Sequence, residues 1–229
     1  MQFPERVQII EVGPRDGLQS YPQTFDTDIK VELINRLAET GLDRIEATSF
    51  VRPEGIPQLA DAEAVMARIE RKPGVVYRAL VPNRKGAERA VAAGVDEMLG
   101  LITCSETYNR KNQNMSVERN LEVMGEVLEV GRKSGIPVTI AVAMAFFCPY
   151  EGLTPPERVL GIFERLYEMG ARRFYAATSA GMADPRQVYT LLSRIRERWP
   201  EIELGLHLHN TNGMALANAL AALQAGVTI

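Results

Sequence analysis

Pro155-Pro156-Glu157-Arg158-Val159-Leu160-Gly161-Ile162-Phe163-Glu164-Arg165-Leu166-Tyr167-Glu168-Met169-Gly170, then Arg172-Arg173-Phe174-Tyr175-Ala176-Ala177, reads as a helix over 155–169, a glycine and a strand. Glycine is the residue that ends a helix most cheaply, because it accepts the left-handed conformation. The unit recurs in both directions. Upstream, a helix at about 116–134 meets Gly135 and the strand Ile136 to Met144. Downstream, a helix over 184–198 ends near Pro200, and Ile202 to His207 is a strand. A helix over 213–225 stops at Gly226, and Val227-Thr228-Ile229 opens one more strand.

Toward the N-terminus, Val7 to Val12 reads as a strand broken by Gly13-Pro14. From Asp28, apolar Ile29, Leu33, Ile34 and Leu37 sit at helical spacing, capped by Gly41. Strands follow at Asp43 to Thr48, Val75 to Val81 and Val95 to Ile102, separated by helices at 58–71 and 84–93. Strict alternation predicts parallel strands joined by right-handed crossovers. The count is seven strand–helix units and the start of an eighth strand. A doubly wound sheet usually has fewer strands and a glycine-rich first turn. Gly13-Pro14-Arg15-Asp16-Gly17 lacks that spacing. The expected fold is therefore a (β/α)8 TIM barrel, a single domain over 1–229 that stops before strand 8 is complete. Its first and seventh strands would then be unpaired edges. The long stretch after Ile102 is the expected active-site lid.

Lys plus Arg is 26 and Asp plus Glu 29, a net charge of −3 that argues against a nucleic-acid partner. The longest apolar run, Ile140 to Cys148, is nine residues, too short for a membrane helix. Neither a secretory signal nor a disulfide framework is visible, so a reducing compartment, the cytoplasm or an organelle matrix, is expected.

Chemistry in a barrel sits at the C-terminal ends of the strands. His207 and His209, the only histidines, stand at i and i+2, which turns both rings to one face of a strand. With Asp16 from another strand end they would bind a divalent metal; the alternative is a pair satisfied by local hydrogen bonds. Arg15 could stabilise an oxyanion, or form a surface ion pair with Asp16. Glu46 interrupts an apolar strand, and a carboxylate pointing inward needs a partner, for which Arg15 is the candidate. An outward Glu46 against a helix is the alternative. Asn109, Arg110 and Lys111 begin a polar, basic run to Asn114 that could receive a nucleotide phosphate or simply be a solvated loop. Cys104 and Cys148 read as small apolar residues.

The strings Val12-Gly13-Pro14-Arg15-Asp16-Gly17-Leu18-Gln19, Ile45 to Val51, Cys148-Pro149-Tyr150-Glu151-Gly152 and His207-Leu208-His209-Asn210-Thr211-Asn212-Gly213 resemble motifs of the 3-hydroxy-3-methylglutaryl-CoA lyases. The resemblance implies a metal-assisted retro-Claisen cleavage of a 3-hydroxyacyl-CoA to acetyl-CoA and a keto acid. It implies Mg2+ or Mn2+ on Asp16, His207 and His209. Catalytic work falls to Arg15, oriented by Glu46, and to His207, while Asn109, Arg110 and Lys111 meet the CoA phosphates. An acyl-CoA substrate is the expected partner, with no nucleic acid and no membrane; a homodimer is one option for the assembly.

Two positions depart from that pattern. The family usually carries Asp-Thr-x-Gly where this chain has Thr178-Ser179-Ala180-Gly181, and His-Asp-Thr where it has His209-Asn210-Thr211. Thr178 is expected to change substrate preference rather than abolish metal binding. The family's glycine-rich loop with its catalytic cysteine is expected beyond Ile229. The alternative functions are an aldolase or Claisen-type synthase of the wider barrel group, and a non-catalytic barrel that binds metal or CoA.

Overall fold

The computed structural model describes residues 3–229. Helices and strands alternate as α1 (Thr27–Ala38), β1 (Arg44–Ser49), α2 (Ala62–Arg68), β2 (Val76–Val81), α3 (Arg84–Ala92) and β3 (Glu97–Thr103). Then come α4 (Glu106–Gln113), α5 (Val117–Ser134), β4 (Val138–Ala143), β5 (Phe147–Cys148), β6 (Gly152–Leu153), α6 (Pro156–Glu168), β7 (Arg173–Thr178), α7 (Pro185–Arg198), β8 (Glu203–Leu208) and α8 (Ala215–Gln224). Six strands are hydrogen-bonded in the order β1-β2-β3-β4-β7-β8, the sequential parallel topology of a (β/α) barrel.

The chain divides into two compact units. The first comprises Ile9–Gly100 and Glu126–Val138; the second comprises Leu101–Gly125, Thr139–Ile229 and the N-terminal residues up to Gln8. In the first, β1 pairs with β2 and β2 with β3. Ile34 and Ala38 of α1, Val65 and Met66 of α2, and Ala87 and Ala90 of α3 are buried there. In the second, β4 pairs with β7 and β7 with β8. Phe163 of α6 stacks on Phe174 of β7, with centroids 4.7 Å apart, and lies 6.2 Å from the Trp199 ring.

Four expectations need correction. First, residues 7–12 form no regular strand. Gln8 N–H donates to Thr228 O, and Glu11 bridges β1 at Ile45, so the pairing is split into isolated contacts. Second, the chain end is paired: Leu206 N–H donates to Ile229 O at 2.9 Å, beside the Gln8 bond to Thr228 O at 2.7 Å. The edge of β8 is thus partly covered. Third, the helix expected over 58–71 splits into a turn at Pro57–Leu59 and α2. Asp61 lies between them, its carboxylate held by Lys30 Nζ and Thr27 Oγ1, both at 2.6 Å. Fourth, the expected lid after Ile102 contains α4. Ser105 Oγ accepts the Tyr108 N–H at 3.0 Å, and Asn114 (φ 55°) closes the other end in the left-handed region.

Gly205 of β8 is a point of close approach. A Cβ there would lie 2.3 Å from two carbons of the Tyr175 ring on β7. Gly205→Ala should therefore cost roughly 1–3 kcal/mol in urea unfolding, through overpacking. In a Tyr175→Leu background the same substitution should cost clearly less, since the clashing ring is gone.

Candidate active site

In the first unit the chain leaves the Glu11 bridge and enters a single wide helical turn, Gly13–Gly17, with Pro14 at its start. The Arg15 and Asp16 N–H groups both donate to Val12 O, at 3.2 and 2.7 Å. That turn buries Arg15 and aims its guanidinium at β1. Arg15 Nε donates to Glu46 Oε1, and Nη1 donates to Asp16 Oδ1 at 2.7 Å. Glu46 is fully buried. Its other oxygen, Oε2, accepts from Arg78 Nε at 2.9 Å. Burial pushes the Glu46 carboxyl up, but the Arg15 and Arg78 guanidiniums outweigh it and hold its pKa below the ordinary value.

Arg78 was hidden in sequence by the apolar strand around it, Val76-Tyr77-Arg78-Ala79-Leu80-Val81. The register reveals it, since Glu46 of β1 faces Arg78 of β2, which faces Glu97 of β3. Arg44 Nη1 lies 3.2 Å from Glu97 Oε2, and Arg78 Nη1 lies 3.6 Å from Glu97 Oε1. Three arginines and two glutamates thus form one buried chain of charge that ends at Arg15. A charged residue inside an apolar run was a usable signal at Arg78, as it was at Glu46.

In the second unit the end of β8 delivers the two histidines, His207 within the strand and His209 just past it. Their Nε2 atoms are 3.1 Å apart, and the rings meet edge to face with centroids separated by 4.9 Å. Two donors on adjacent vertices of an octahedron with bonds of about 2.1 Å are separated by about 3.0 Å, so this spacing, which is also that of a hydrogen bond between the two rings, is compatible with an octahedral divalent cation. The His209 N–H donates to Thr178 Oγ1 at 3.1 Å. Asn210 Oδ1 accepts the Ala215 N–H at 3.1 Å. The structure therefore pairs Arg15 with Glu46 and Asp16 in one unit, and His207 with His209 in the other.

The basic segment is only partly available to a ligand. Asn109 is buried, and its amide nitrogen donates to Met115 O and Ser116 O, both at 3.1 Å. It shapes the α4–α5 turn and does not face solvent, contrary to the expected CoA contact. Arg110 is exposed beside Glu106, and Lys111 Nζ sits 5.1 Å above the Tyr150 ring. Cys148 Sγ donates to Ser105 Oγ at 3.0 Å. Cys104 is buried, and burial pushes its thiol up. Both cysteines are unpaired and buried. Glu151 accepts the Thr107 N–H and an Arg158 Nη1 bond, each at 2.7 Å, which ties the β5–β6 hairpin to α4. Partial burial raises its pKa, but those bonds and Ser105 prevail and bring it to about 2.

A sequential parallel topology, with a buried guanidinium–carboxylate cluster behind the first turn, defines a protein of the (β/α)-barrel class. Comparison narrows the class. The HMGL-like family model matches residues 6–229, and the chain belongs to that family. It is 42% identical over 229 residues to the hydroxymethylglutaryl-CoA lyase of Bacillus subtilis, covering 100% of this chain and 77% of that one. The crystal structure of the Bacillus subtilis HMG-CoA lyase superposes with a TM-score of 0.97, again at 42% identity, over 100% of this chain and 76% of that one. An HMG-CoA lyase from Acinetobacter baumannii, solved with coenzyme A and 3-methylmalate, gives 0.94 at 38% identity, over 100% and 74%. Among the described residues no helix is long and apolar enough to cross a membrane.

Two outcomes follow from the electrostatics. Arg78→Met should cost roughly 3–5 kcal/mol in denaturant unfolding at neutral pH, because it strips one partner from a buried carboxylate; Arg78→Lys should cost less. The lowered pKa of Glu151 stabilises the fold above its ordinary value of 4.5, and that contribution is lost as pH falls toward about 2. The stability gap between the wild type and Glu151→Gln should accordingly be full at neutral pH and close between those limits.

Proposed function

We propose that the protein is a divalent-metal-dependent carbon–carbon lyase that cleaves a 3-hydroxyacyl-CoA. 3-Hydroxy-3-methylglutaryl-CoA is the first candidate, with acetyl-CoA and acetoacetate as products. The observation that carries the reading is the imidazole pair of His207 and His209, with Nε2 atoms at the spacing of adjacent ligands. Asp16, in the Gly13–Gly17 turn, supplies the third ligand in this reading. The donor set of two imidazoles and a carboxylate suits a first-row divalent ion such as Mn2+ and lacks the thiolates of a structural zinc site, and the family resemblance implies Mg2+ or Mn2+. A cation held there supplies a Lewis acid that lowers the pKa of the substrate hydroxyl.

The chain's own residues do the rest. The 3-hydroxyl loses its proton to a base, and the oxygen's electrons form a ketone. The C2–C3 bond breaks, and its electron pair moves into the thioester enolate, which then takes a proton at C2 from the conjugate acid of that base. Arg15 uses Nε and Nη1 on Glu46 and Asp16, which leaves Nη2 to meet the developing enolate oxygen. Glu46, fixed by Arg78, keeps that guanidinium in one orientation. Arg110 and Lys111 meet the CoA phosphates at the protein surface. One barrel domain in the cytoplasm is the working unit of this proposal, and its unpaired buried cysteines suit a reducing compartment.

The test is acetyl-CoA release from 3-hydroxy-3-methylglutaryl-CoA with Mg2+ or Mn2+. Asp16→Ala and His209→Ala should each lower kcat/KM by about a thousandfold or more. Arg110→Ala with Lys111→Ala should raise KM several-fold, more at low salt, with kcat nearly unchanged. Acetyl-CoA consumption with a 2-oxo acid would instead establish a synthase. Metal binding with no turnover of any acyl-CoA would establish a non-catalytic barrel.

A further inference from the structure

The ladder between β7 and β8 ends at the pair Thr178↔Leu208. The next residue, His209, lies past the last ladder position, yet its backbone must be fixed if its ring is to hold a position. Its N–H is taken by a side chain, Thr178 Oγ1, at 3.1 Å. Thr178 is itself immobilised. It is 2% exposed, and its carbonyl accepts the Gly181 N–H at 2.7 Å. As a β-branched residue it also has few χ1 options. Gly181, at φ +65°, is pressed against the segment it supports: a Cβ there would lie 2.8 Å from Thr211 N. On the far side of His209, Asn210 O accepts the Gly213 N–H at 3.0 Å.

The same turn reaches a third strand end. Ser179 Oγ accepts the N–H of Met144, just after β4, at 3.1 Å. Met144 is a buried non-glycine residue in the left-handed region, at φ 54°, and Thr154 Oγ1 donates to its carbonyl at 2.7 Å. Such a conformation persists only where surrounding bonds impose it. Thr178 and Ser179 therefore form a buckle that gathers the ends of β4, β7 and β8 through uncharged hydroxyls.

We infer that Thr178 is a positioning residue: its hydroxyl sets the backbone of His209 and so the aim of the imidazole at the metal. This inference rests on the metal-binding reading of His207 and His209. It assigns Thr178 no contact with substrate. The competing view is a residue that only packs, for which any side chain of similar volume would serve.

Thr178→Val keeps the shape and removes the acceptor, whereas Thr178→Ser keeps the acceptor and removes the methyl. Amide exchange of His209, followed by NMR without metal, should quicken about fivefold or more in Thr178→Val and return toward wild type in Thr178→Ser. Mn2+ affinity of the protein, followed by its EPR signal, should fall roughly tenfold in Thr178→Val and recover in Thr178→Ser. Thr178→Ala serves as a second acceptor-free variant if the valine form does not fold. Wild-type exchange and wild-type Mn2+ affinity in a folded acceptor-free variant would overturn the inference. A wild-type protein that binds no Mn2+ would overturn the metal reading and the aim assigned to Thr178, and the exchange measurement would still show whether its hydroxyl holds His209.

Discussion

A buried carboxylate between two guanidiniums organises the first half of the chain. Glu46 is inaccessible to water and survives as an anion only because Arg15 and Arg78 bind opposite oxygens. Replacing such a cluster with hydrocarbon is often neutral or stabilising, so the cluster contributes little net stability. Its consequence is positional. Glu46, Arg78 and Glu97 occupy matched positions on three neighbouring strands. A slip of one residue would turn each charge to the opposite face and leave it unpaired. The ion pairs thus specify strand register, and they leave Arg15 one reachable orientation behind the first turn.

The second half fixes its strand ends by other means. Around His209 the side chains that hold the backbone are Thr178, Ser179, Thr154 and Asn210, all neutral. A hydroxyl or amide satisfies one N–H without adding a field of its own. Close to a pair of imidazoles that matters, because each extra anion would change the attraction of a cation. Neutral groups thus carry the geometry at the end of β8.

What could be read from the sequence depended on whether a signal was local. The alternation of β7, α6 and their neighbours was visible because glycines end the helices and apolar runs mark the strands. The histidine pair was visible because strand side chains repeat every second residue, and Glu46 because it stood alone among apolar neighbours. Arg78 carried the same signal, but its meaning lies in a cross-strand partner 32 residues away. α4 was missed because its sequence, Glu106 to Gln113, is almost entirely polar. It is held by the Ser105 cap and by the Glu106 bond to the Val117 N–H. Residues 7–12 had a strand's composition without a strand's pairing, since their partners lie at Thr228 on one side and β1 on the other. Asn109 looked like a ligand-binding residue because its neighbours are basic, whereas its burial depends on the turn into α5.

The two departures from the family pattern fall at residues whose side chains accept backbone N–H groups. Thr178 takes that of His209, and Asn210 takes that of Ala215. An aspartate could accept either proton, and more strongly, since a charged acceptor makes the shorter and tighter bond. The hydrogen-bonding architecture is therefore compatible with both versions, and the difference between them is electrostatic.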